Sequence, residues 1–226
     1  MSDTMQDTLL DAILMHVPFD GWTETSFRAA LDDTGIDPVV ARSFLPRGAA
    51  DLAVAYHRRG DALMLERIAN GELSEMRFRD KVAYAVRARL DVIEDKEVVR
   101  RGATLSSLPM HAADGAKLIW GTADAIWTAL GDTSEDVNWY TKRATLSGVY
   151  SSTVLYWLGD DSPDHQATWA FLDRRIEDVM RFEKAKAQVR GNPLLSKLLA
   201  GPTALFSHVR APQAARDVPG TTQPRT

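Results

Sequence analysis

The chain has 226 residues, 45% of them apolar and 26% charged, with mildly negative mean hydropathy. That is an ordinary globular composition, enough for one large domain or a small domain joined to a larger one. It contains no cysteine, which excludes disulfides, thiolate metal sites and cysteine nucleophiles. The net charge of −4 is unevenly placed: residues 1–50 carry eight acidic against three basic side chains, and residues 181–226 carry eight basic against two acidic, so the two ends are expected to meet different partners.

The opening MSDTMQDTLLDA is acidic and has neither the basic start and apolar core of a signal peptide nor the arginine-rich character of a transit peptide. No run approaches the roughly 20 apolar residues that span a bilayer. A cytoplasmic protein is therefore expected.

Nearly every segment reads as helix, and none as a period-two strand. Leu9, Leu10, Ile13, Leu14 and Val17 make a first helix, stopped by Pro18 and Asp20-Gly21. Thr23-Glu24-Thr25-Ser26 opens a second, Thr34-Gly35-Ile36 turns, and Asp37-Pro38 starts a short third that ends near Phe44. Three short helices in that order resemble a helix-turn-helix unit. A recognition helix needs basic and amide side chains on its exposed face. The candidate here, Asp37–Phe44, offers a single arginine inside an acidic unit, which argues against nucleic-acid binding.

Long helices are predicted over 49–69 and 74–94, separated by Asn70-Gly71. A shorter one covers 96–107 and ends at Leu108-Pro109. Another covers 111–130, carries Leu118, Ile119, Ile126, Trp127 and Leu130, and is closed by Gly131. The chain then organises itself around residues 136–180. Between Ala144 and Leu158 there is almost no charge, and Val149, Tyr150 and residues 154–158 surround the axis, which predicts a helix buried on all sides. Ala144, Ser147, Gly148, Ser151 and Ser152 make a narrow small face, open to a neighbouring helix or a slender ligand. After Gly159-Asp160-Asp161, Ser162 as N-cap and Pro163 at the first helical position start a second helix whose apolar residues, Trp169, Leu172, Ile176, Val179 and Met180, share one face. The pair reads as an antiparallel hairpin. Asp160, Asp161 and Asp164 fit helix capping better than metal binding.

Beyond Gly191-Asn192-Pro193, Leu194, Leu195, Leu198, Leu199, Leu205, Phe206 and Val209 fall within roughly 140° of helical arc. Lys184, Lys186 and Arg190 precede them. Such a helix suits a lipid interface, or packing back on the core. A Pro/Gln/Thr/Arg tail follows Pro212 and is expected to be disordered. Predicted units are therefore a degenerate helix-turn-helix over 1–47, a helical lipid-binding domain over 48–190, an amphipathic membrane-contacting helix over 191–211, and a tail over 212–226.

Catalysis finds little support. The five histidines are scattered with no metal-binding spacing, and there is no Gly-x-Ser-x-Gly, phosphate-cradling glycine loop or dinucleotide fingerprint. A non-catalytic protein without a cofactor is expected.

The run Asp136-Val137-Asn138-Trp139-Tyr140-Thr141-Lys142-Arg143, with Ser162-Pro163-Asp164, Thr168-Trp169-Ala170-Phe171-Leu172 through Val179-Met180, and Pro18 with Gly21-Trp22-Thr23, resembles the COQ-nine family of ubiquinone-biosynthesis proteins. The resemblance covers about residues 7–190. It implies an all-α, TetR-repressor-like fold: a short helix-turn-helix unit followed by a ligand-binding helical bundle. It further implies a homodimer that binds isoprenoid lipid, quinone precursors or phospholipid, touches the membrane through its terminal helix, and presents the lipid to the demethoxyubiquinone hydroxylase. The family's partner-facing patch falls on Asp124, Ile126, Asp136, Trp139, Tyr140 and Arg143. Periodicity offers Leu118, Leu146, Tyr150, Leu155 and Trp157 as a lipid-binding lining. The missing transit peptide points to a bacterial member, peripheral on the inner membrane. The competing classes are a TetR-like regulator that senses a hydrophobic ligand, and an enzyme active on its own.

Overall fold

The computed structural model describes residues 2–191, and among them it contains helices and no strand. The head of the chain forms α1 (Ser2–Ile13), a single turn α2 (Val17–Asp20), α3 (Glu24–Thr34) and α4 (Pro38–Phe44). Each boundary has a local cause. At α3 the Ser26 amide donates to Thr23 Oγ1 at 3.4 Å, and the Thr23 amide donates to Ser26 Oγ at 3.1 Å, a reciprocal capping box. Gly35 ends α3 in the left-handed region at φ 66°, where a β-carbon would be strained. Asp37 accepts from the Val39 and Val40 amides at 2.8 and 3.1 Å, and Pro38 stands at the first position of α4, where no N–H is needed.

The larger part consists of α5 (Ala49–Asn70), α6 (Phe78–Asp91), α7 (Lys96–Ser107), α8 (Ala112–Ala129), α9 (Val137–Leu158) and α10 (Gln166–Gly191). α6 starts four residues later than the periodicity suggests. Residues 71–76 turn instead, with the Met76 amide donating to the Leu73 carbonyl at 3.1 Å, and the first turn of α6 closes only when the Asp80 amide reaches the Arg77 carbonyl.

Three apolar clusters hold the bundle. The first joins Leu9, Leu10, Ile13, Phe27 and Leu31 to Leu52 of α5 and Val98 of α7, so the core crosses the 47/48 boundary drawn from the sequence. The second joins Met64 and Ile68 of α5 to Val86 of α6, Ile126 of α8, Leu146 and Val149 of α9, and Leu172 and Ile176 of α10. The third is small: Leu90, Trp157 and Leu158. Each fully buried Leu, Ile or Phe contributes about 1.5–3 kcal/mol relative to exposure, so the second cluster fixes how α5, α6, α8, α9 and α10 sit together.

Two expectations about the hairpin change. α9 is not buried on all sides: Ala144, Gly148 and Leu155 form an exposed stripe, and Leu155 is 65% accessible. A β-carbon on Gly148 would meet nothing within 4 Å, so the small face is open at that residue. The link to α10 is also capped differently. A 3₁₀ turn over Pro163–His165 precedes α10, and its Asp164 and His165 have φ of 50° and 56°. The buried Asp160 carboxylate supplies the main cap, accepting from the Ser162 amide at 2.9 Å, the Thr168 amide at 2.8 Å and Thr168 Oγ1 at 2.6 Å. Ser162 Oγ accepts from the Ala167 amide at 3.0 Å. Among the described residues, no helix is long and apolar enough to cross a membrane, and no group of three or more acidic or histidine side chains could hold a metal. The set Leu194, Leu195, Leu198, Leu199, Leu205, Phe206 and Val209, and the units drawn over 191–211 and 212–226, lie outside the described residues but for Gly191.

Candidate functional site

α5, α7, α8 and α9 enclose a cavity of about 480 Å³. Its walls are mostly aliphatic or small: Ala53, Val54, Val98, Val99, Ala103, Ile119 and Val154 are among them. Its exposed lining residues, Ser107, Ala112, Ala116 and Leu155, mark the mouth between the α7–α8 turn and α9. The size falls inside the roughly 300–1,000 Å³ of ordinary small-molecule sites.

At the inner end the lining turns polar, with His57, Arg89 and Tyr150 facing it. Arg89 comes from α6 and is only 4% exposed. Its Nε donates to Asp61 at 2.7 Å and its Nη2 to the His57 carbonyl at 3.1 Å. Thr122 of α8 stands behind, 2.8 Å from His57 Nε2, and donates to Asp61 at 2.9 Å. Burial pushes His57 down to about 4, against the opposing pull of Asp61, so the ring is neutral near pH 7. Burial likewise raises the Tyr150 phenol, against the opposing hydrogen bond with Thr122, so it stays protonated.

The lining residues proposed from periodicity separate into three places. Leu118, Tyr150 and Leu155 line this cavity. Leu146, one turn before Tyr150, packs in the second core cluster and lines a smaller groove of about 210 Å³ between α6, α9 and α10. Trp157 lies on the same face as Tyr150 but roughly 10 Å further along the helix. There it is buried with Leu90 and Leu158, under Lys96 Nζ at 4.9 Å and against the edge of His165; it does not line the cavity.

On the opposite side of α8 lies an aromatic and charged cluster. Trp139 and Tyr140 meet edge to face with centroids 4.8 Å apart, and Trp120 lies 6.0 and 6.4 Å from them. Arg143 stacks on Trp139, its Cζ 3.9 Å from the ring centroid. The sequence suggests Arg143 as a donor held out to a partner, but it is 2% exposed and is engaged internally by Asp124, by Asp132 at 2.9 Å and by the Trp139 carbonyl at 3.2 Å. Burial favours the neutral form of Asp132, yet hydrogen bonds from Lys142, Ser134 and Arg143 prevail and hold its carboxyl at about 2. Asp136 is exposed and caps α9 through the Asn138 amide at 2.9 Å. Ile126 is fully buried in the second core cluster, roughly 200° around α8 from Asp124, so it offers no surface to a partner.

Residues 112–183, which run from α8 into α10, match the COQ9 family model. This stretch is similar to the COQ9 domain. It contributes one wall of the cavity and the whole aromatic cluster. Three curated relatives are named ubiquinone biosynthesis protein COQ9, mitochondrial. The one from Drosophila melanogaster is 30% identical over 194 residues, 84% of this chain and 59% of the relative. That from Rattus norvegicus is 29% identical over 216 residues, 90% of this chain and 68% of the relative, and that from Homo sapiens 27% over 216 residues, 90% and 67%. The chain thus spans about three fifths to two thirds of the length of these relatives. In overall shape the chain is similar to a TetR transcriptional regulator from Nitrosomonas europaea, with TM-score 0.63 and 16% identity over 77% of this chain and 97% of that one. At that identity the likeness concerns the fold, which is all-α and TetR-like.

Four residues of the polar floor were not singled out by sequence reasoning: His57, Asp61, Arg89 and Thr122. Three lie outside the COQ9-like stretch, and each reads singly as an ordinary polar helix residue. The available signal is Gly60, a glycine inside a long helix next to Asp61.

Proposed function

We propose that this chain is a non-catalytic, lipid-binding accessory protein of ubiquinone biosynthesis that takes an isoprenoid quinone precursor from the membrane and presents it to the demethoxyubiquinone hydroxylase. The observation that carries the reading is the apolar cavity of about 480 Å³, one wall of which is made by the COQ9-like stretch. A prenylated precursor is held in the bilayer by about 0.8 kcal/mol for each buried CH₂. A protein that withdraws it must offer a comparable apolar lining, and Val54, Val98, Ile119, Val154 and their neighbours do so. In this reading the apolar face over residues 194–209 meets the bilayer, a homodimer is the working form, and Trp139 with Tyr140 faces the hydroxylase. The exposed Leu108, Met110 and Leu155 beside the mouth fit entry from an apolar phase.

A regulator would share this fold. Its recognition helix, however, would be α4, whose single arginine is held by Glu24 at 2.5 Å and stacked on Phe27. The deciding measurement is native mass spectrometry of the purified full chain, with extraction of its bound lipid. Co-purified isoprenoid lipid supports the carrier. An empty cavity, together with salt-sensitive retardation of the chain's own promoter DNA, supports the regulator. Removing 193–226 is expected to abolish co-sedimentation with anionic liposomes, and Trp139→Ala with Tyr140→Ala to abolish capture of the hydroxylase while bound lipid persists.

A further inference from the structure

We infer that the smaller groove between α6, α9 and α10 is a second ligand site, which takes an alkyl carboxylate of about six to eight carbons, its chain on the groove floor and its carboxylate on Arg79. The inference stands apart from the carrier reading, because no residue lines both this groove and the larger cavity.

The floor of the groove is aliphatic: Val82 comes from α6, Leu146 and Val149 from α9, and Ile176, Val179 and Met180 from α10. Phe78 and Trp127, stacked with centroids 5.4 Å apart, add an aromatic wall. At about 30 Å³ for a group the size of a water, the 210 Å³ of the groove hold about seven methylene-sized groups. That suits one short alkyl chain. It falls below the volume of ordinary drug-sized sites, so a prenylated ring or a phospholipid is too large for it.

Charge selects the head group. Arg79 and Lys142 line the groove, and no acidic side chain does. The two cations differ in what already holds them. Lys142 donates to Asp132 at 2.7 Å and to Ser134 at 2.6 Å, so its charge is matched. Arg79 makes no hydrogen bond among the described residues. Its ion-pair contact with Asp80 is 3.6 Å long, and Asp80 accepts instead from Arg77 at 2.7 and 3.3 Å. A half-buried guanidinium is therefore left uncommitted beside an apolar floor. The planar fork of an arginine fits one carboxylate through two parallel N–H···O bonds. A phosphate dianion would need a second uncommitted cation, and a basic amphiphile would meet two like charges.

The test is calorimetric titration of the full chain with butanoate, hexanoate, octanoate and decanoate, and with octanamide, which keeps the chain and lacks the charge. Affinity is expected to rise about fourfold per added methylene up to octanoate and to level off at decanoate, whose end leaves the groove. Octanoate should bind about tenfold or more tightly than octanamide. Arg79→Gln, which breaks no hydrogen bond of the fold, should remove most of that preference while octanamide binding persists. Thr145→Trp, at an exposed position of the lining, should fill the groove and abolish binding of both probes. Equal octanoate affinity in the wild type and Arg79→Gln overturns the site. Octanoate binding unchanged by Thr145→Trp overturns it as well, because the ligand then sits in the larger cavity. Binding of none of the acids also overturns it and leaves the carrier reading standing, since co-purified lipid decides that one.

Discussion

Gly60 of α5 lies directly against the guanidinium of Arg89: a β-carbon built there would come within 2.6 Å of Arg89 Cζ and Nη1. Glycine in a helix interior costs about 1 kcal/mol relative to alanine, so an unconstrained site would favour the replacement. Here the guanidinium is buried and fixed by Asp61 and the His57 carbonyl, and shifting it strains the pair between a buried cation and the partly buried Asp61 carboxylate. Gly60→Ala is expected to destabilise the fold by about 2 kcal/mol, between the propensity gain and the 3–5 kcal/mol of a broken buried pair. In an Asp61→Asn, Arg89→Gln background the same change should be neutral or stabilising. Urea unfolding of the four proteins measures that coupling, and equal effects in both backgrounds would dismiss it.

His57 gives the molecule a predictable response to acid. Its neighbours are Asp61 and Arg58 on its own helix, Arg89 from α6 and Tyr150 from α9. Burial holds its folded pKa at about 4, below the 6.5 of the exposed ring. Between those values the unfolded chain binds the extra proton, so stability is complete above 6.5 and declines as the pH falls toward 4. The shift corresponds to about 3 kcal/mol at most. Urea unfolding at intervals from pH 7.5 to pH 4 should show this decline, and His57→Gln should flatten it within that window. A parallel slope in the variant would place the acid sensitivity elsewhere.

Helix order and most boundaries were legible because they rest on local chemistry: Thr23 with Ser26, Asp37 before Pro38, and Gly35 after Thr34 each act within a few residues. The cavity was legible in part. Leu118, Tyr150 and Leu155 carry an apolar signal, and their spacing places them on helices that come to face one another. Trp157 carries the same signal on the same face, and only its distance along the axis separates it from the cavity. Ile126 and Asp124 are two positions apart in sequence, which puts them on opposite sides of α8. The floor was hidden for a different reason. Arg89 sits in Tyr84-Ala85-Val86-Arg87-Ala88-Arg89, where two arginines look equally solvated, and only the tertiary meeting with Asp61 and Gly60 separates the buried one from the exposed one.

The Asp132 node is expected to govern the order of the aromatic cluster. Its carboxylate is almost wholly buried and joins Lys142 at 2.7 Å to Arg143 at 2.9 Å. Asp132→Ala leaves the buried Arg143 with the partly exposed Asp124 as its one carboxylate, and should cost about 3 kcal/mol with loss of the near-ultraviolet signal of Trp120 and Trp139. Lys142→Ala removes a partner that is itself 38% exposed and should cost under about 1 kcal/mol. The Asp132 carboxyl lies at about 2, below its ordinary value, so its contribution is present above about 4 and is lost only as the pH falls toward 2. That window does not overlap the one set by His57. Comparable losses in the two variants would mean that the cluster does not depend on the buried carboxylate.

The turn between α9 and α10 separates a carboxylate that holds structure from two that do not. Asp160 accepts three hydrogen bonds, and its carboxyl is held well below the ordinary range by the Ser162 and Thr168 donors. Lys96 and Arg100 of α7 fasten the same turn from below, donating to the carbonyls of Asp160 and Leu158 at 2.7 and 2.9 Å. Thr168→Val removes one buried hydroxyl donor with little change of shape and should cost about 1 kcal/mol. Asp160→Ala removes all three acceptor contacts and should cost more than Thr168→Val. Asp161→Ala, at an exposed position, should change nothing measurable. Asp164 has φ 50°, a conformation that costs an L-residue free energy and glycine almost none. Its carbonyl accepts from Trp169 Nε1 at 2.8 Å, a bond that glycine retains. Asp164→Gly is therefore expected to stabilise the chain by up to about 1 kcal/mol, the one gain in the series. A loss on Asp164→Gly, read by the same urea titration, would show that its side chain, and not its backbone, shapes the turn.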